Sequence, residues 1–180
     1  MITGKKIILD IPQEHHLEKM LEWRNTPEFR KYFREYRVLS KEHQHKWWRE
    51  KVISDDTWQY FVIKPQSEPD KIIGVTGLLY LHPVYKTGEF AINIGDPDFR
   101  EGGYGSDALR TLTKYGFDQL NLNRIWCEVY SNNAAIDIYR HIGFIDEGLL
   151  RQTVFKDGEY LDSYILSMLR TDYEKLSWKK

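Results

Sequence analysis

Residues 100 to 105 read Arg100-Glu101-Gly102-Gly103-Tyr104-Gly105, with Ser106 following, at a point where a strand-like stretch ends and a helix-like one begins. Glycines at such a junction allow backbone conformations barred to other residues and leave no side chain between a ligand and the amide N–H groups. The first amides of a helix have no partner, and that end of the helix carries partial positive charge. Together these features make a phosphate cradle. The loop has neither the Gly-x-Gly-x-x-Gly of dinucleotide folds nor the Gly-Lys-Ser/Thr ending of a P-loop, so both nucleotide folds fall in rank.

Other chemistry-bearing residues are sparse. Glu89 begins a stretch of alternating character, with residues 89, 91 and 93 on one side of a strand, and Glu128 sits in a later strand. Either is a candidate proton acceptor. His43 and His45 are two apart and point to different sides of a helix, unlike the i, i+4 pairs that bind metals, so no catalytic metal is expected. Cys127 is the only cysteine and lies inside a strand pattern, which reads as a small core residue rather than a nucleophile. His82 and His141 read as capping or solvated side chains.

The elements that must position these residues follow from periodicity. Lys5 to Ile11 reads as a strand closed by Pro12, then a helix from about Gln13 to Arg24 with Leu17, Met20 and Leu21 at helical spacing. Pro27 restarts a short helix through Phe33, and Ser40 is a plausible cap for another over Lys41 to Ser54. These two helices form an expected cover. From Trp58 the period changes to two, giving strands over Tyr60 to Lys64, Ile72 to Leu81 and Thr87 to Gly95 in an antiparallel meander. A helix over Ser106 to Leu120, a strand over Arg124 to Tyr130, a helix over Asn133 to Ile142 and two strands joined at Asp157-Gly158 complete a mixed α/β order.

Composition bounds the class. The 180 residues carry 41% hydrophobic and 29% charged residues, as ordinary globular proteins do, and show no internal repeat or linker, so one domain over residues 1–180 is expected. A net charge of -1 argues against a general grip on nucleic acid. No apolar run approaches the ~20 residues of a membrane helix. Met1-Ile2-Thr3-Gly4-Lys5-Lys6 lacks the features of a signal peptide, and one cysteine suits a reducing compartment, so no membrane partner and a cytoplasmic location are expected.

Arg100-x-x-Gly103-x-Gly105 resembles the pyrophosphate-binding motif of the GNAT superfamily of acetyl-CoA-dependent N-acetyltransferases. Downstream, residues 132 to 144 (NNAAIDIYRHIGF) resemble that family's Asn-x-x-Ala-x-x-x-Tyr-x-x-x-Gly-Phe segment at matching spacing. Trp23-Arg24-Asn25 and the ending GLLRQTVFKDGEYLDSYILSML extend the likeness over nearly the whole chain. It is nearest the branch holding ribosomal-protein N-terminal, spermidine and nucleotide-amino-sugar acetyltransferases. The resemblance implies an α/β (α+β) GNAT fold, a central mixed and mostly antiparallel seven-stranded sheet flanked by helices.

The resemblance also implies an acetyl-CoA-dependent enzyme. It assigns coenzyme binding to Arg100, Glu101, Gly102, Gly103, Tyr104, Gly105 and Ser106, to the main chain of the strand segment Ile92, Asn93 and Ile94, and to Asn132, with Asn133 as the helix cap; these two asparagines are open to exchange. Tyr139 falls where the family places the acid that protonates the coenzyme thiolate, and a phenol of pKa about 10 beside a thiol of about 8.5 remains protonated near neutrality. Glu89 is the first choice of base for direct attack by the amine, with Glu128 or water as alternatives. The acceptor is expected to be a small-molecule amine (an amino sugar, a polyamine or an aminoglycoside-like compound), selected around Trp23 to Tyr36 and Trp47 to Trp48. A protein N-terminus is the alternative acceptor, and a non-catalytic acyl-CoA-binding module the alternative class. A homodimer through the C-terminal strands is expected for this branch.

Overall fold

The computed structural model describes residues 1–179. The chain begins with β1 (Ile2–Thr3) and β2 (Ile7–Asp10), paired antiparallel. A 3-10 turn at Glu14–His16 leads into α1 (Leu17–Arg24). Thr26 caps α2 (Pro27–Tyr32), where Pro27 occupies the first turn and its missing N–H is not needed. Ser40 accepts from the His43 amide to cap α3 (Lys41–Trp47), which runs on as a π-helical turn over Trp48–Ile53. The meander β3 (Gln59–Pro65), β4 (Gly74–His82) and β5 (Thr87–Ile94) follows, then α4 (Tyr104–Asp118), β6 (Arg124–Tyr130) and α5 (Ala135–Ile142). The hairpin β7 (Ile145–Lys156) and β8 (Glu159–Leu169) turns at Asp157 and Gly158, both at positive φ as this tight turn requires. The short α6 (Arg170–Tyr173) comes next.

The sheet has eight strands in the order β1-β2-β3-β4-β5-β6-β8-β7, not the seven expected. The additional strand is β1, whose two residues pair with Ile8 and Leu9 and are too few to produce a readable alternation. Every neighbouring pair is antiparallel except β5 and β6, which α4 connects in parallel.

Strand alternation sends successive residues to opposite layers. Phe61 and Ile63 join Leu78, Phe90, Ile125, Cys127 and Val129 in a core under α4 and α5. Val62, between them, packs with Val75 against Leu17, Met20 and Trp23 of α1. Truncating a fully buried residue of α4 such as Leu112 to Ala costs about 2–5 kcal/mol.

One irregularity creates the functional cleft. The β5/β6 ladder lasts only three residues, Thr87–Glu89 against Arg124–Trp126. Beyond Glu89 the edge of β5 over Phe90–Ile94 is unpaired on that side, while β4 holds the other side of the strand as far as Ile94.

Candidate active site

The glycine loop lies at the N-terminal end of α4. Gly102 and Gly103 have φ of +78° and +83°, conformations that disfavour a Cβ. Gly103 is the N-cap and supplies no side-chain cap; the first helical bond runs from the Asp107 amide to the Gly103 carbonyl, at 3.0 Å. The amides of Tyr104, Gly105 and Ser106 therefore have no helical partner and present partial positive charge. Two cations flank them. Lys6 Nζ donates to the Gly102 carbonyl at 2.7 Å and lies over the Tyr104 ring, and Arg100 Nε points at the Ile94 carbonyl at 3.4 Å. The one acidic side chain of the first turn, Asp107, accepts from the Lys6 and Ile7 amides and so is bound to the backbone of the N-terminal hairpin.

The unpaired edge of β5 opens into a cavity of about 250 Å³ walled by Phe90, Ala91 and Ile92 on one strand and Val129 and Tyr130 on the other. Tyr139 reaches this wall from α5 and is 9% exposed. Burial pushes its phenol upward, so the hydroxyl keeps its proton across the neutral range. Asn133 also lines the cavity, and its side chain accepts from the Ala135 amide at 3.0 Å in the turn before α5, whose N-cap is Ala134 and not the expected Asn133; Asn132 is exposed. Asn93 and Arg100 line an adjoining cavity bounded by Trp23 and Phe29.

Three carboxylates converge on the first cavity. Glu89 and Glu128 stand on adjacent strands and share one guanidinium, that of Arg34, which donates to Glu89 at 2.8 and 3.2 Å and to Glu128 at 2.9 Å. Burial pushes the Glu89 carboxyl up, Arg34 pulls it down without cancelling the effect, and Glu128 adds to the rise. Burial works against the charge on Arg34, but its hydrogen bonds to Glu89 and the Glu89 charge, then those of Glu128, outweigh it and hold the guanidinium charged. The burden of burial falls on the deeper member, Glu89. The third carboxylate, Glu35, bonds Arg37, which brings its pKa to about 2 despite partial burial.

Aromatic side chains complete the wall, among them Trp47, Trp58 and Tyr80. The Trp58 indole N–H and the Tyr130 hydroxyl are buried there without a protein partner. The segment covering the cavity is tied at both ends. Asn25 clasps Leu39 through two bonds of 2.8 and 2.9 Å, and Lys156 Nζ donates to the carbonyls of Arg30 and Phe33 at the end of α2.

The structure thus brings Glu89, Glu128, Ile92 and Tyr139 around one cavity, with the loop from Arg100 to Ser106 at the far end of the opened strand. Trp47 and Trp48 both pack against the α1 core, and of the two Trp47 also lines the cavity. Cys127 is buried and its thiol is pushed up by burial. His82 accepts from the Val84 and Tyr85 amides in a turn, and His141 is exposed. Among the described residues no cluster of His, Cys, Asp or Glu could hold a metal ion, and no helix is long and apolar enough to cross a membrane. Two site residues were not individually legible in sequence, Lys6 and Arg34. Lys6 meets Gly102 across 96 residues of chain, and Arg34 meets Glu89 across 55 and Glu128 across 94; no local pattern marks either.

A family model described as "Acetyltransferase (GNAT) domain" matches residues 6–145. An uncharacterised N-acetyltransferase, p20, of Bacillus licheniformis is 33% identical over 107 residues, 59% of this chain and 60% of that protein. The spermidine N(1)-acetyltransferase of Escherichia coli K12 is 30% identical over 125 residues, 69% of this chain and 65% of that protein. Both matches span less than two thirds of the relative's own length. Among solved structures, spermidine N-acetyltransferase from Vibrio cholerae in complex with CoA and spermine superposes with a TM-score of 0.87, covering 96% of this chain and 100% of that one at 23% identity. The same enzyme has been solved as a dodecamer, with a TM-score of 0.82.

Proposed function

Because the chain belongs to the GNAT acetyltransferase family, we propose that it transfers an acetyl group from acetyl-CoA to a primary amine of a small cationic molecule, a polyamine foremost. One observation carries this reading: three carboxylates, Glu35, Glu89 and Glu128, line a cavity at the point where β5 parts from β6, beside Tyr139. An amine acceptor is positively charged near neutrality, and a carboxylate-lined cavity draws it in. None of the three relatives is named for a protein acceptor, which favours a small molecule over a protein N-terminus.

The coenzyme fits the residues present. Unpaired amides at Tyr104, Gly105 and Ser106 suit a pyrophosphate, Arg100 and Lys6 supply positive charge, and a Cβ on Gly105 would come 3.4 Å from Ile94, at the near edge of the cradle. The free edge of β5 at Ile92 and Ile94 offers main-chain groups for an amide-bearing arm. Bound there, acetyl-CoA supplies the activated thioester. Glu89 accepts a proton from the acceptor ammonium at its carboxylate, which leaves the nitrogen lone pair free to attack, and passes the proton to solvent. Tyr139 holds a proton at its hydroxyl for the departing sulfur. Cys127, buried with its thiol pushed up, is a poor nucleophile, which supports direct transfer.

The reaction is tested by thiol release with purified protein, acetyl-CoA and a panel of spermidine, amino sugars, aminoglycosides and a short peptide amine, with product masses measured. Transfer to the peptide alone would overturn the small-molecule reading. The single buried thiol suits a cytoplasmic location. A single domain over residues 1–180 and a homodimer through the C-terminal strands remain part of the proposal. The dimer is supported by the edge position of β7 and its exposed Ile145, Leu149, Leu150 and Phe155, and is tested by sedimentation.

A further inference from the structure

A cation already sits between two neighbouring carboxylates of the cavity. Arg34 bridges Glu89 and Glu128, each bond at or below 3.2 Å, in the place where a cationic acceptor would be expected to bind. We propose that Arg34 is an internal occupant of an ammonium subsite formed by Glu89 and Glu128, and that the acceptor binds by exchanging its ammonium for this guanidinium. The inference rests on the proposed reaction and deepens it, because it names the residue that sets acceptor affinity.

Three features of the bridge support exchange over a fixed structural role. The partners are unequally buried: the Glu89 side chain is 8% exposed and that of Glu128 19%, whereas that of Arg34 is 52% exposed. The carboxylates are walls of the sheet, and the cation is the partner with an open path to water. Second, the backbone on either side of Arg34 is anchored, by Lys156 at Phe33 and by Asn25 at Leu39, so release needs rotation of one long side chain and no opening of the cover. Third, exchange conserves charge. Two adjacent carboxylates, Glu89 buried and Glu128 half-buried, repel, and a cation between them offsets that repulsion. Replacing a guanidinium by an ammonium leaves that balance unchanged, whereas a neutral or anionic compound would strand both carboxylates.

Glu35, a third carboxylate of the cavity, is likewise held by a guanidinium, that of Arg37, so a second ammonium on the same acceptor meets the same kind of exchange there. Arg34 acts as a positioning residue: while paired it keeps Glu89 engaged, and its departure frees that carboxylate for the incoming ammonium.

The test uses the full chain, wild type and Arg34→Ala, with spermidine binding measured by calorimetry in parallel with acetyl transfer. Removing the internal competitor is expected to tighten spermidine binding about tenfold, in keeping with one half-exposed ion pair, and to lower KM more than it changes kcat. Guanidinium chloride at low millimolar concentration then competes with spermidine in Arg34→Ala and hardly at all in the wild type. Arg34→Lys retains a cation and stays near the wild-type affinity. Unaltered spermidine affinity in Arg34→Ala, with melting temperature and acetyl-CoA affinity preserved, makes Arg34 a structural bridge and overturns the proposal. Weaker binding overturns it too, since Arg34 would then read an anionic part of the acceptor. Should Arg34→Ala melt early, Arg34→Gln carries the same readouts. Failure of the wild type to acetylate any amine sinks the proposed reaction alone, because the calorimetric arm still measures the exchange.

Discussion

Tyr139 and Phe90 meet edge to face, ring centroids 5.0 Å apart and planes at 86°, so a side chain of α5 and one on the opened edge of β5 share a wall of the cavity. The contact is made by the ring of Tyr139. Tyr139→Phe keeps the ring and removes the hydroxyl. If that group protonates the leaving sulfur, kcat falls on the order of 10- to 1,000-fold while acetyl-CoA affinity and melting temperature hold. Single-turnover transfer at the wild-type rate in this variant would leave Tyr139 with packing alone.

Glu89 gives a second prediction, in the pH profile. Burial raises its carboxyl above the ordinary value, Arg34 opposes the rise, and Glu128 reinforces it. The base must be ionised, so activity is lost as pH falls through this raised value, and the acidic limb of kcat/KM lies above the usual range of glutamate. Glu89→Gln lowers kcat and abolishes that limb with little change in acetyl-CoA affinity. Arg34→Ala removes the opposing cation and moves the limb to higher pH. A limb that persists unchanged in Glu89→Gln assigns the base to Glu128 or to water.

Substitutions in the glycine loop separate coenzyme binding from backbone strain. Gly103 sits at φ +83°, so any side chain there strains the loop by about 1–2 kcal/mol regardless of ligand. Gly105 is free of that constraint, and its Cβ would make only a 3.4 Å contact with Ile94. Gly105→Glu therefore leaves the melting temperature nearly intact while placing a carboxylate at the helix end, and acetyl-CoA affinity drops by about tenfold or more. Lys6→Ala weakens the same affinity severalfold, and less so at high salt. Full calorimetric affinity in Gly105→Glu would remove the phosphate cradle from this loop.

His16 supplies a stability prediction far from the cleft. Its ring is buried beneath α1, accepts from the Gln13 amide at 3.0 Å, and has its pKa lowered by burial, with a smaller push from His15, to about 4. Between that value and about 6.5 the unfolded chain binds a proton that the folded chain refuses. Stability is therefore complete above about pH 6.5 and declines as pH falls toward 4, by up to about 1.4 kcal/mol per unit. Urea unfolding across that interval should show the slope, and His16→Gln should flatten it. An identical slope in the variant would place the linked proton elsewhere.

Much of the frame was readable because its causes are local. The Ser40 cap, the strand over Arg124–Tyr130 and the Asp157-Gly158 turn each depend on residues within a few positions of one another, and all stand where the pattern put them. Helix periodicity located α4 and α5, though their first turns begin two residues from the expected points, at Tyr104 and Ala135. The spacing of two motifs was enough to identify the family and, through it, the loop and the tyrosine.

The lining of the cavity beside β5 came only from tertiary structure. Trp47 and Trp48 are adjacent in sequence and both pack against the α1 core, yet only Trp47 also lines the cavity. Glu89 stood out as a carboxylate at the start of a strand, but its partner Arg34 lies 55 residues earlier in a segment with no readable period, and Glu128 lies on a strand that pairs with β5 for only three residues. Sequence by itself determined what depends on neighbours along the chain: the type and order of the elements, turn chemistry, the glycine loop at the start of α4 and the family. Tertiary structure alone decided which charges meet, because the pairing of Arg34 with two carboxylates depends on the parting of β5 from β6 and on the anchoring of the cover by Asn25 and Lys156, contacts that span the chain and leave no periodic trace.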